Sequence, residues 1–577
     1  MVRRGLSFSR VVVGYGALVS ICGLSIYGCT GSFDSGGTPP GTVPLERMPV
    51  EDPTALQCTI SEADRRSVGD LRRLSHDEYL NTLRALLPAA ALEPARPVLA
   101  LFPDDPTAIS PGEFDPSHGR EHVDSIFRTS TEVAETIVAD PALLGQIAPD
   151  CLADPSNAEA PCVREWIGEF GRRVVRRPLT DDEIDSYFAL YQTDDEGFTD
   201  DAQRIELVLA ALLNAPELVF HVTSTEGDAP RVVDEYTLAS RLSYRTQGGP
   251  PDDALLQAAE TGSLADPAEL RTQAERLLDS EEGRNFVRQL FSRWLALDDR
   301  PEPDRVAIES AGVSRDGIRE EFREEALAYV EHVIFDRRGS FTDLMTDDAV
   351  FPGTERLATI LDAEQSDGPV SGPSPRGLLG RPALLTSPYP RTNIITRGTF
   401  VTRRMLCREL EPPPGVDTVA DALLEGRDLT EMTAREIATV STEPPACAEC
   451  HDQLNPPGFA LESFGPLGQF RRQEDVYTNE GEFVRSLEIR DEADLILDEA
   501  SSEVQGIEGL GSAIAVSEEA TSCAAVQVFR ATHLREPRAS DACHIDALRA
   551  AVREERSLFD VLVENVIAEA RAVGGVN

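Results

Sequence analysis

Lysine is missing from this 577-residue sequence, so all 54 basic residues are arginines. Without lysine the chain has no Schiff-base catalysis, no phosphate-loop lysine and no serine–lysine pair. The patterns His-Glu-x-x-His and Gly-x-Ser-x-Gly are also absent, as is a glycine-rich dinucleotide fingerprint after a strand. The sequence therefore carries no standard signature of a zinc peptidase, an α/β-hydrolase or a dinucleotide-dependent enzyme.

Positive charge is scarce as well, because 101 acidic residues give a formal net charge of −47. Such a chain repels polyphosphate, so we expect no nucleic-acid partner and interpret the charge as a solvated surface. Carboxylates this abundant form accidental pairs, so a hydrolase acting on an extracellular polymer is only a weak alternative. The length predicts several domains rather than one core.

Long apolar runs are missing except near the start, where Val11–Tyr27 follows Arg3 and Arg4. This pattern predicts an export signal. Its end, Ile26-Tyr27-Gly28-Cys29, resembles the lipobox of bacterial lipoproteins, which implies a lipid anchor on Cys29. An uncleaved membrane anchor is the alternative. In both cases the membrane is a partner and the body lies in the cell envelope, facing the periplasm or attached to the outer membrane.

Apolar residues recur at three and four positions through most of the chain, and the predicted fold class is therefore mainly α. Ser75 and Thr180 are predicted helix caps. Only Glu482–Ile496 predicts a small hairpin, and long irregular loops separate the helices. The predicted organisation is a signal peptide at 1–28, a flexible tether at 29–60, helical modules at 61–140, 141–226 and 227–367, a motif-bearing module at 368–480 and a C-terminal helical module at 481–577.

One pentapeptide indicates a chemistry: Cys447-Ala448-Glu449-Cys450-His451. Two cysteines three apart, followed by histidine, allow two thioether bonds to a haem and one imidazole bond to its iron. We therefore predict haem c held by Cys447 and Cys450, with His451 as the proximal ligand. Two alternatives stay open: a structural disulfide between the two cysteines, and a zinc site that needs a fourth ligand.

The other axial ligand is not evident, because no methionine follows His451. His533 or His544 is the candidate distal ligand. A filled sixth position favours electron transfer, whereas an open one favours peroxide or small-molecule chemistry.

Six cysteines remain when the signal segment and the motif are set aside, and an even number in an oxidising compartment predicts three disulfides. Cys151 with Cys162 is the most local pairing. Cys523 with Cys543 would join two helices, and Cys58 with Cys407 follows by elimination.

The motif lies in a block, Cys447–Arg471, that resembles one module of a family of exported proteins from planctomycetes and myxobacteria. That family has five consecutive domains of unknown function, is often joined to cytochrome-c modules and has no established reaction. Further similarity lies at Leu71–Leu74, Glu78-Tyr79, Arg176–Thr180, Pro216–Phe220, Leu238–Tyr244, Trp294-Leu295, Arg397-Gly398, Pro412–Pro414, Cys523, Phe529 and Cys543. Relatives commonly carry a histidine and often a methionine where this chain has Ser441 and Leu454, so two sixth ligands are lost.

The sequence as a whole predicts a membrane-anchored lipoprotein with a c-type haem, a redox role and a redox partner protein. A haem-free cell-surface binding or scaffold protein with a structural Cys-x-x-Cys is the alternative.

Overall fold

The computed structural model describes the chain from residue 52 onward, with gaps. The described ranges are 52–58, 68–69, 72–102, 119–152, 154, 159–193, 200–221, 233–372, 376–410, 422–478, 480–533, 535–571 and 573–574. The predicted signal peptide, Cys29 and Pro412–Pro414 lie outside them. Within these ranges no helix is both long and apolar enough to cross a membrane.

Helices between residues 76 and 219 pack around one hydrophobic core with Trp166 near its centre. Ser75 and Thr180 begin their helices with reciprocal bonds to Glu78 and Glu183, which confirms both predicted caps. Arg72–Arg73 pairs antiparallel with Phe220–His221. The helices are His76–Leu86, Ala89–Leu92, Arg96–Leu99, Arg120–Ala139, Pro141–Leu144, Ala160–Val175, Asp181–Tyr191, Asp201–Leu212 and Pro216–Val219.

A second, larger core contains buried residues from segments between Leu238 and Ala570, and Ile394, Ala434 and Ala438 form a small separate cluster. The larger core contains buried residues of all three modules predicted after residue 227, so these modules share one apolar interior. Trp294 connects two of them, because its indole N–H donates to the Arg404 carbonyl. The helices are Glu235–Gln247, Asp253–Glu260, Pro267–Leu278, Glu281–Trp294, Arg305–Ser310, Ile318–Glu331, Phe341–Thr346, Glu355–Leu361, Pro382–Leu385, Ile394–Phe400, Ala434–Ser441, Pro445–Phe459, Gly506–Val516, Glu518–His533, Ala542–Arg553 and Leu558–Ala570, with π-helical turns at His332–Asp336 and Val401–Met405.

Strands are short, which confirms the mainly α class. Two hairpins lie after the motif-bearing region, Gln473–Tyr477 with Phe483–Glu488 and Glu492–Leu497 with Ala500–Gln505. The predicted hairpin over Glu482–Ile496 is therefore wrong, because it joined neighbouring strands of two different hairpins. The second turn is made by Asp498 and Glu499, which both adopt positive φ and carry no glycine signal. Short pairs join Val68–Gly69 to Val573–Gly574 and Ala349–Val350 to Val370–Ser371.

The structure contains the local Cys151–Cys162 disulfide, as predicted, but the other two pairings differ from the prediction. Cys58 bonds to Cys543, and Cys407 bonds to Cys523. The reason is that the start of the body lies against the C-terminal module.

Residues 52–58 were predicted to belong to a flexible tether, and this prediction is also wrong. Arg549 donates to the carbonyls of Thr54 and Leu56, and the Cys58 N–H donates to Asp546. Ordered structure therefore begins before residue 60.

Candidate functional site

The five motif residues lie on one helix, Pro445–Phe459, here named the motif helix. Pro445 occupies its first turn, where a missing N–H breaks no helical hydrogen bond. Residues three and four apart share a face of an α-helix. Cys447, Cys450, His451 and Leu454 therefore form one continuous face, with the histidine one turn after the first cysteine.

Two glycines bring the motif helix against the helix Ile394–Phe400. A Cβ on Gly398 would lie 1.6 Å from the Leu454 carbonyl oxygen, and a Cβ on Gly458 would lie 2.2 Å from the Ile394 carbonyl oxygen. Each glycine thus faces the backbone of the other helix, which cannot move aside as a side chain can. This double contact fixes the position of the motif helix.

The thiols of Cys447 and Cys450 are free and half-buried, whereas the other six cysteines in the described residues form three disulfides. This distribution disfavours a structural disulfide within the motif. Across the described ranges, no group of three or more histidine, cysteine, aspartate and glutamate side chains is arranged to hold a metal ion. The zinc alternative therefore has no ligand set here.

A chain of hydrogen bonds sets the tautomer of His451. The Thr442 hydroxyl donates to the Ala438 carbonyl at 2.7 Å, so its oxygen accepts from the Asn455 amide at 3.0 Å. The Asn455 carbonyl oxygen then faces His451 Nδ1 at 3.1 Å, and because this oxygen can only accept, we infer that Nδ1 carries the proton and donates the hydrogen bond. Nε2 is left with its lone pair, which is the form that binds a metal.

Ser441 and Leu454, which stand where the resemblance predicts a histidine and a methionine, have structural roles. Leu454 is buried on the motif-helix face. Ser441 is also buried, and its hydroxyl donates to the Ala438 carbonyl. Neither side chain supplies a strong ligand for iron.

The structure brings His533 and His544 together, but with each other rather than with His451. Their ring centroids are 5.2 Å apart, and His533 stacks on Phe529 at 3.8 Å. Nδ1 of His533 bonds to the Phe529 carbonyl and its buried Nε2 has no hydrogen-bond partner among the described residues, whereas His544 faces the side chain of Asn565. Burial lowers the pKa of His533 well below its usual range and that of His544 to about 4. These are neutral core histidines.

Buried charges lie just beyond the motif helix. Arg397 makes five hydrogen bonds, all to backbone carbonyls, and so holds the turn at Leu461–Gly465. Glu462 within that turn is fully buried, and neither of its carboxylate oxygens has a hydrogen-bond partner. Burial first, and then the charge of Glu474, raises the pKa of Glu462 to about 7, against the opposing charges of Arg471 and Arg435.

Sequence reasoning assigned no role to Asn455, Thr442 or Glu462. The four-residue spacing between His451 and Asn455 was a usable signal, since such side chains meet on a helix. Thr442 and Glu462 gave no signal, because their contacts depend on how separate segments pack.

Three stretches of the chain match family models. Residues 162–222 match PSD5, a protein of unknown function (DUF1595), residues 233–362 match PSD4 (DUF1592), and residues 376–474 match PSCyt3 (DUF1588). The chain carries these three domains. Their names indicate cytochrome-c-associated domains of unknown function, and the motif helix lies inside the DUF1588 segment. No curated protein and no solved structure matches the chain.

Proposed function

We propose that this chain is a cell-envelope lipoprotein that carries a covalently attached c-type haem on its motif helix and works in electron transfer or related redox chemistry. The observation that carries the proposal is one helix face with two free thiols beside a histidine whose Nε2 keeps its lone pair. This donor set fits covalent haem attachment and one axial ligand.

Cys447 and Cys450 would hold the haem by thioether bonds, and His451 Nε2 would be the proximal ligand. The haem supplies one-electron redox chemistry when bound. Thr442 and Asn455 keep the imidazole in its ligating tautomer and orientation. The backbone contact at Gly398 keeps the helix still, so that little rearrangement accompanies a change of charge.

Three disulfides in the described residues support an oxidising compartment outside the cytoplasm, where thioether attachment takes place. The apolar segment ending at Cys29 supports lipid anchoring, with the outer membrane or the periplasmic face as location. The expected partner is a redox protein, and the net charge of −47 disfavours nucleic acid.

The test is export of the full chain in a bacterial host that has haem-attachment machinery, followed by a haem stain of a denaturing gel. We expect a stained band with the visible spectrum of a c-type cytochrome. The double variant Cys447→Ser/Cys450→Ser should lose the stain completely. As a matched control, Cys151→Ser/Cys162→Ser removes two cysteines elsewhere and should keep it.

A colourless protein in which peptide mapping finds Cys447 bonded to Cys450 would overturn the proposal and favour a haem-free binding or scaffold role. The same preparation locates the sixth ligand. Because His533 and His544 lie in their own buried cluster, we expect His533→Phe and His544→Phe to leave the reduced spectrum unchanged. A changed spectrum would identify that histidine as the distal ligand.

A further inference from the structure

Glu462 is a buried carboxylate whose oxygens accept no hydrogen bond from the described part of the chain. The nearest cationic atom is Nη1 of Arg435, 4.0 Å from Oε2, and the Arg435 backbone N–H also faces the carboxylate. Neither reaches hydrogen-bond geometry. An ionised carboxylate loses its hydration at such a place and receives no hydrogen bond in return, whereas the protonated form costs much less to bury.

The charged groups around Glu462 come from four elements. Glu474 lies on the strand Gln473–Tyr477, Arg435 on the helix Ala434–Ser441, Arg397 on the helix Ile394–Phe400, and Arg471 follows the turn. Two of these three arginines donate to other groups, whereas Nη2 of Arg471 has no hydrogen-bond partner within the described ranges. Arg397 is saturated by carbonyls, and the Arg435 guanidinium donates to the carbonyls of Arg490 and Glu492.

Glu474 is equally buried but differs from Glu462 in its bonding. It accepts from Arg391 Nε at 2.7 Å and from the Ala434 N–H at 2.8 Å. Hydrogen bonds to a charged carboxylate favour the charged form. Of these two neighbouring acids, Glu462 is therefore the one whose protonated and ionised forms lie close in free energy near neutral pH.

One helix connects Glu462 with His451. At its start, Arg435 faces Glu462, and its guanidinium lies 4.1 Å from the centre of the Phe459 ring at the end of the motif helix. Just beyond its end, Thr442 holds the Asn455–His451 pair. Arg435 and Thr442, the residues of this helix that contact the two sites, are separated by about 10 Å of helix rise. Over such a distance in a protein interior a unit charge still changes the pKa of an acid by about one unit.

We propose that Glu462 is a proton-binding site whose protonation is linked to the oxidation state of the haem on the motif helix. Its carboxylate takes one proton from solvent as a one-electron donor protein delivers an electron to the site, and it releases the proton when the electron leaves. The physical reason is that the added negative charge favours the neutral carboxyl. The inference deepens the proposed function and rests on it.

The experiment is a redox titration of the haem-loaded full chain over a range of pH. With the Glu462 pKa near 7, the midpoint potential should fall as the pH rises from about 6 to about 8. Glu462→Gln should make the potential independent of pH in this range. Glu443→Gln removes one carboxylate charge at an exposed position before the motif helix and should keep the wild-type slope.

Two readouts do not depend on the variant's behaviour in the redox titration. Reduction of the wild-type protein in weakly buffered solution should take up protons, counted with an indicator dye, and this count decides even where Glu462→Gln fails to fold. In the haem-free Cys447→Ser/Cys450→Ser protein, the infrared band of a protonated carboxyl should titrate near pH 7 and should be absent when Glu462→Gln is added.

These measurements distinguish failure of the proposed haem function from failure of the proposed role of Glu462. A protein without haem overturns the proposed function. A haem-loaded protein that takes up no proton on reduction and keeps one potential from about pH 6 to about pH 8 overturns the role of Glu462 alone.

Discussion

Two regions of this molecule, the motif helix and the C-terminal module, surround the histidine imidazole in opposite ways. On the motif helix, His451 is half-buried and its Nδ1 is bound to Asn455, so Nε2 keeps a lone pair beside two free thiols. In the C-terminal module, His533 and His544 pack on Phe529, and both rings are buried. The first arrangement leaves one ring nitrogen with a lone pair, whereas the second buries the imidazole as a core side chain.

The difference shows that the position of a histidine in the sequence does not by itself make it able to bind a metal. His451 differs in two ways: Thr442 and Asn455 keep its ring proton on Nδ1, and it directly follows Cys450. What distinguishes the C-terminal pair is desolvation, which holds both rings neutral.

The largest expected effect concerns the backbone contact between the motif helix and the helix Ile394–Phe400. Gly398→Ala places a methyl group 1.6 Å from the Leu454 carbonyl oxygen, so the two helices must separate. We expect the free energy of unfolding to fall by at least ~3 kcal/mol, measured by urea denaturation. Gly353→Ala is the control, because nothing lies within 4 Å of a Cβ at that exposed glycine. Equal stability of the two variants would contradict the double backbone contact.

The dependence of stability on pH tests the buried pair His533 and His544. The pKa of His544 is about 4 in the folded protein and about 6.5 in the unfolded chain, so between these values the unfolded state binds more protons. The stabilising contribution of the neutral ring is complete above pH 6.5 and is lost as the pH falls. At pH 5 we expect a loss of about 2 kcal/mol in the free energy of unfolding from this group.

Urea denaturation at pH 7.5 and pH 5 measures that loss. His544→Gln should lose about 2 kcal/mol less than the wild type, while His332→Gln, a histidine outside the buried pair, should follow the wild type. If His544→Gln shows the wild-type dependence, the buried-neutral interpretation of the C-terminal pair fails.

The smallest effect concerns the proton on His451. Thr442→Val removes the hydroxyl that orients Asn455, so we expect a mixture of imidazole tautomers and a loss of about 1 kcal/mol in stability. Nitrogen-15 chemical shifts of the ring in the haem-free protein report the tautomer. Thr439→Val, an exposed position on the same helix, should leave the ring with its proton on Nδ1. A single tautomer in Thr442→Val would show that the chain of bonds does not set it.

Local features were predictable from the sequence because local chemistry determines them. The caps at Ser75 and Thr180 follow from side chains that bond three residues ahead, and the helical class follows from the apolar period. The hairpin prediction was wrong because Phe483–Glu488 and Glu492–Leu497 are similar short strands whose partners lie on opposite sides in the chain.

Long-range features were not predictable, since they depend on how distant segments meet. Nothing near Cys58 indicates that it bonds to Cys543 rather than to Cys407. The burial of Glu462 was not predictable for the same reason. A glutamate is usually exposed, and this one is surrounded by Glu474 and Arg471 only once the separate segments pack together.

The Cys58–Cys543 bond has a sequence separation of 485, so it closes almost the whole body into a covalent ring. A protease that cuts the backbone once inside the ring opens it but releases no fragment. The nicked chain keeps its full mass on a non-reducing gel and comes apart only when a reductant is added. Only a second cut inside the ring sets a piece free.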